Sequence, residues 1–294
     1  TDFYAGEFGM DVSPVAQLEG DAFERQFGLP AGARAKAAMA SVAQSRVGRV
    51  LGIEFAASAR PWVAEGTQAP FIGYWNLNFY VDDIVGACAR LAERGYRFWS
   101  RPVKQTVPGG AGAPTEAIFP GPDNVALNLV ELDGAPGSQT AELARETAKL
   151  PRSRAGVSQV ATSAHATRDL AAAAAFHREV LGMWPAIDAV LERPEVNELT
   201  GRPRDARTHV VWMRGDHPYG KVALSQALNY PLADRTAVAM APAIGYIAQS
   251  FAVPDLAVAL AKAARLGARP LAGPDNLLLA DGCSVTAVML RAPG

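Results

Sequence analysis

One strand-and-helix phrase is written twice in this chain. Residues 76–97 (NLNFYVDDIVGACARLAERGYR) and 248–269 (AQSFAVPDLAVALAKAARLGAR) run from a strand-like stretch through an acidic residue into an Ala-rich amphipathic stretch that stops at glycine. Val81, Ile84, Gly95 and Arg97 answer to Val253, Leu256, Gly267 and Arg269. A second phrase, residues 3–10 (FYAGEFGM), returns at 176–183 (FHREVLGM), each closing on Gly-Met. The offset from Val81 to Val253 and that from Phe3 to Phe176 differ by one residue. A chain that repeats itself at one spacing is built from repeated structural units, and that constrains it more than any local propensity.

Taken in order, the pattern predicts strand–helix–three-strand units. A helix opens the chain, and an Ala-rich helical patch is expected at 31–43, followed by a strand at 50–57. A Pro- and Gly-punctuated connection at 60–70 leads to the repeated strand and helix. Strands are then expected at 98–103, 116–119 and 125–132. The later copy has a strand at 157–164 ahead of its helix at 169–181. The same offset puts the first copy's opening strand before residue 1, so unit one is expected to lack its first strand. Strands at 209–214 and 221–226 complete the third unit, and the fourth runs from about 243 to a strand at 284–291. Residues 134–156, rich in Gly, Pro and Ser with a short polar helix at 141–150, read as the linker. The expected organisation is α+β: an N-terminal pair of units over 1–133, and a C-terminal pair over 157–294.

With 28 Lys+Arg against 29 Asp+Glu, nothing points to nucleic acid, and a small-molecule partner is the expectation. No apolar run reaches the ~18 residues of a membrane helix, no signal-peptide pattern opens the sequence, and two cysteines without a CxxC suit a reducing compartment. The reading is cytoplasmic. Asp82 and Asp83 read as the N-cap and first turn of the predicted helix they precede, and Asp169 and Asp255 read likewise. Gly9 and Gly182 read as helix stops.

Four βαβββ units in two pairs resemble the vicinal oxygen chelate superfamily, which includes glyoxalase I, extradiol dioxygenases and bleomycin-resistance proteins. The phrases that carry the resemblance are 76–97, 121–132 (GPDNVALNLVEL), 176–183 and 253–269. It implies paired units whose mixed sheets curl into two cups. It also implies a divalent metal held by first-strand His or Gln and fourth-strand Glu, and often a homodimer. Those positions here fall on Asn76 and Asn128 in unit two, Gln159 and Ala223 in unit three, and Ala248 and Thr286 in unit four. Unit one offers Glu54. The usual metal centre is therefore expected to be absent, with one ion (Fe, Mn, Ni or Zn) on Glu54 as the alternative.

Alternation places Asn76, Asn78 and Tyr80 on one strand face, and with Asn128, Gln159 and Thr286 they are the expected substrate-binding groups. All four histidines, His165, His177, His209 and His217, lie in unit three, without HxH or HExxH spacing. His209, on a strand, is the expected general base alongside Glu54, and His165 shares strand parity with Gln159. Most of Trp62, Trp75, Trp99 and Phe119 read as core, with walls for a flat aromatic ligand as the alternative. Two functions follow: an enzyme of this superfamily acting on a small oxygenated, possibly aromatic metabolite, or a metal-free small-molecule or drug-sequestering protein.

Overall fold

The computed structural model describes residues 1–64, 70–278 and 282–294; the middle of the expected 60–70 connection lies outside them. Unit one comprises α1 (Asp2–Gly6), β1 (Asp11–Val12), β2 (Ala16–Glu19), α2 (Asp21–Phe27), β3 (Arg34–Ser41) and β4 (Val50–Phe55). Unit two is β5 (Gly73–Tyr80), α3 (Ile84–Glu93), β6 (Val103–Lys104), β7 (Thr115–Pro120) and β8 (Ala126–Glu131), followed by α4 (Gln139–Thr147) in the linker. Unit three is β9 (Val160–Ala166), α5 (Leu170–Glu179), β10 (Trp184–Leu191), α6 (Pro194–Leu199), β11 (Thr208–Arg214) and β12 (Lys221–Ala227). Unit four holds α7 (Leu256–Arg265), β13 (Arg269–Pro270), β14 (Asp275–Leu278), β15 (Ser284–Ala287) and β16 (Leu290–Arg291).

The repeat is visible in the way its helices begin. Asp83, Asp169 and Asp255 each accept a hydrogen bond from the backbone N–H three residues on (Gly86, Ala172 and Val258), all at 2.9 Å. Each cap satisfies a donor that the first helical turn leaves open. The Gly-Met stops hold as well: Gly9 and Gly182 have φ of 63° and 70°, left-handed geometry that costs glycine little.

Units two and three share one sheet of eight strands, in the order β10-β11-β12-β9-β5-β8-β7-β6. It is mixed: β5 runs parallel to β8 and β9 to β12, while β5 and β9 meet antiparallel at the centre. The expected halves, 1–133 and 157–294, are thus joined by a ladder, and the units pair differently from the expectation. Unit one forms a separate four-stranded sheet in which β3 pairs with β1, β2 and β4. Unit four lies against it: Arg25 pairs with Asp275 at 2.6 Å, and Gln26 bonds the Gly273 carbonyl and the Met289 N–H. The partnership is two with three and one beside four. It depends on which strand edges meet, and no local pattern encodes that.

Two expected elements take another form. Residues 31–43 are not helical, and β3 occupies most of them. Ala35, Ala37, Ala38 and Ala40 are buried between three paired neighbours, and tertiary pairing overrides alanine's helical preference. The strand expected around Ala248 is a loop. Its Ile244 makes a single bridge to Trp62, and its Gln249 and Tyr246 lie against the outer, helix-covered face of β9 and β5.

The main core fills that outer face. Leu77, Phe79 and Val81 of β5 and Leu127 and Leu129 of β8 pack with Ile84, Ala87 and Leu91 of α3 and with Phe3, Tyr4 and Phe8 of unit one. Leu170 and Ala173 of α5 cover Val211, Met213, Val222 and Leu224 in the same way. The opposite, inner face carries Asn76, Asn78 and Asn128.

A Cβ on Gly86 would stand 2.2 Å from the Asp83 carboxylate that caps its N–H. Asp83→Ala is expected to cost about 1 kcal/mol in urea unfolding. In that background Gly86→Ala recovers up to about 1 kcal/mol through helix propensity, whereas alone it destabilises. Additive effects would refute the coupling.

Candidate functional site

Strand register lines up one polar row across the inner face. Asn128 of β8 lies beside Asn78 of β5, Asn78 opposite Thr162 of β9, and Thr162 beside Lys221 of β12. Asn128 Nδ2 donates to Asn78 Oδ1 and to Glu116 Oε2, both at 2.7 Å. Asn78 Nδ2 donates to the Thr162 carbonyl at 2.9 Å, and Asn76 Nδ2 to the Ala126 carbonyl at 3.3 Å. Four expected residues, Asn76, Asn78, Tyr80 and Asn128, come together here, joined by two that were not expected, Glu116 and Lys221.

Glu116, on β7, is only partly covered, as is Asn78. Its carboxyl nevertheless lies deep enough that burial raises it above the usual carboxylate range, outweighing the hydrogen bond from Asn128. Asn128 Oδ1 is buried and has no partner among the described residues, an open acceptor at the floor of the row. Beyond Thr162, the Lys221 ammonium position is 5.2 Å from the centre of the buried Tyr80 ring. Arg214, at the end of β11, pairs with Glu146 of α4 at 3.5 Å. Apolar inner-face residues flank the polar row: Ile118 continues it opposite Asn128, and Trp75, Ala126 and Ala164, beside Asn76, cluster with Ile118 and with Val63, Phe71, Leu199 and Ala243. A polar strip thus borders an apolar wall, the composition of small-molecule sites.

The other expected residues lie elsewhere. Glu54 is exposed on β4, opposite Lys36 in a different sheet. Thr286 donates to Asn276 in the β14–β15 hairpin. His209 bonds Asp188 at 2.7 Å, and its strand parity with Val211 and Met213 puts it on the outer face. Gln159 is buried just ahead of β9, its Oε1 without a partner among the described residues. His165 does not share its face, because the register of the β5–β9 ladder slips between Asn78 and Phe79 and reverses the parity. On the outer face His165 Nε2–H donates to Gln249 Oε1 at 2.8 Å, beside Ser163 and edge-on to Tyr74. Burial, helped by the nearby His177, pulls its pKa down to about 3, so it stays neutral.

Glu116 carried one readable signal: it shares parity with Ile118, which the tight GPDN turn sets opposite Asn128. Lys221 shares parity with Ala223, the position that was read as a fourth-strand site.

No protein-family model matches this sequence, and no curated protein matches it. Solved structures do match in fold. A point mutant of glyoxalase I from Zea mays superposes over 99% of this chain and 83% of its own, with TM-score 0.61 and 12% identity. Glyoxalase I from Zea mays itself superposes over 98% of this chain and 86% of its own, with TM-score 0.54 and 12% identity.

That fold typically carries a divalent ion, so the donor set was tested against one. No three His, Cys, Asp or Glu side chains converge among the described residues. The inner row supplies one carboxylate, already engaged by an amide, next to uncharged amides and a lysine. Such a set does not fit a transition-metal ion.

The buried Glu116 is expected to make stability depend on pH. A folded-state pKa above the unfolded value contributes stability that is full below the unfolded pKa and lost as pH rises through the folded one. Glu116→Gln should therefore match the wild type in urea at pH 4 and exceed it at pH 8; parallel curves would refute the assignment. Repeated strand–helix units, the two-with-three sheet and the glyoxalase I match lead to one statement: this chain has the vicinal oxygen chelate fold.

Proposed function

We propose that the inner face binds a small oxygenated metabolite and moves a proton on it, an isomerase- or lyase-type reaction with Glu116 as the proton-transfer group. The observation that carries this reading is the carboxyl of Glu116. It is deep yet partly reachable, raised from its ordinary value by burial, and oriented by Asn128. A carboxylate whose basicity burial has raised is a better acceptor for a carbon-bound proton than an exposed one, and can return that proton to the substrate. Asn78 and Thr162 continue the row as hydrogen-bonding partners for the metabolite's oxygens, and Trp75 and Ile118 border it with apolar surface for its carbon skeleton. The chemistry asks for no metal from this chain.

A second reading, sequestration without turnover, is favoured by the apolar residues flanking the row and by the uncharged amides that replace the usual ligand positions. One experiment separates the two. A panel of small 2-oxo acids and hydroxyketones is incubated with the protein in deuterated water, and label at the carbon next to the carbonyl is followed by mass spectrometry. The wild type is expected to exchange at least about a hundredfold faster than Glu116→Gln, with affinity retained in the variant. Ligands that bind and come back unlabelled would hand the site to sequestration.

A further inference from the structure

The inner face holds a second reactive group that the proton-transfer reading leaves unused. Lys221 opens β12 and is only 6% exposed. Its Nζ donates to the Pro218 carbonyl and lies over the Tyr80 ring. No carboxylate forms an ion pair with it among the described residues. The charged and titratable groups around it are Arg214 on β11, Glu146 on α4 and Tyr80 on β5, with Tyr219, Arg152 and Glu116 acting on Tyr80 beside it, and Glu146 is already engaged by Arg214. An ammonium buried without a carboxylate, with a guanidinium as its charged neighbour, is the arrangement that favours the free amine. Burial, with Arg214 adding to it and Glu146 opposing, brings this amine to a pKa of about 7.

We propose that Lys221 is an imine-forming site for a small aldehyde or ketone held on the inner face. This rests on the reading of that face as a site for oxygenated metabolites, and it narrows the ligand to a carbonyl compound. The Lys221 nitrogen lone pair attacks the carbonyl carbon. A C–N bond forms, the C=O π pair moves to oxygen, and one amine proton follows it. The carbinolamine then expels its oxygen as water with the second amine proton, leaving C=N. No oxidant or reductant enters. Thr162, beside Lys221 in the ladder, and the Asn78–Asn128 row lie along the same face, where the rest of the carbonyl compound would sit.

The chain has five lysines, and the other four, Lys36, Lys104, Lys149 and Lys262, are exposed or half-buried, so they serve as internal controls. An amine with a pKa near 7 has roughly a thousandfold larger neutral fraction at pH 7 than an ordinary lysine. The probe is pyruvate with cyanoborohydride, which reduces any imine to a stable amine, and adducts are located by peptide mass mapping. The expected result is a dominant adduct on Lys221, formed with half-maximal rate near pH 7 and absent in Lys221→Met. Adducts spread over the exposed lysines with Lys221 spared, or labelling of Lys221 only at the high pH of an ordinary ammonium, would overturn the proposal. The wild-type map and pH profile decide it even where the methionine variant misfolds. Absent deuterium exchange with Lys221 still trapped would defeat the proton-transfer reading alone.

Discussion

The antiparallel meeting of β5 and β9 is the contact on which the rest of the molecule depends. Each strand already has a parallel partner from its own unit, so their pairing turns two small sheets into one of eight strands. It leaves both strands central, with one face under α3 and the aromatic residues of unit one. The other face carries Asn78, Thr162 and the residues beside them. A buried amide is tolerated only where its donors and acceptors are met. Here they are met largely by strand neighbours: Asn76 reaches a β8 carbonyl and Asn78 a β9 carbonyl.

The inner row is lopsided in a way that suits chemistry more than structure. Unit two contributes amides and a carboxyl, while unit three contributes Thr162 and a buried lysine. One continuous face thus carries an acidic end and a basic end. Burial moves both groups toward neutrality, the carboxyl upward and the amine downward, because removing water penalises either charged form. The outer-face cluster of His165, Ser163 and Gln249 is the contrasting case. It is satisfied and neutral, and it sits where the loop preceding α7 crosses the sheet, tying unit four to unit three.

Much of the scaffold was legible from residues alone. The three aspartate caps, the glycine stops, the β5 alternation and the order of elements in unit two follow from rules that act within a few residues. So does the grouping of Asn76, Asn78 and Tyr80 on one face. The failures have physical causes of another kind. The alanines of 31–43 were read by helix propensity, but three paired neighbours made them β3. His165 was given the parity of Gln159, which a slip in the ladder reversed. Glu116 and Lys221 carried no motif and became a site only through the strands beside them.

The residues of this chain specify what each unit is, because alternation, capping and turn chemistry are local. They do not specify which units share a sheet, or which polar side chains meet on its inner face. Those depend on edge-to-edge pairing between strands far apart in sequence and on register slips of a single residue. Both are settled by competition among distant partners, and only the folded chain resolves that competition.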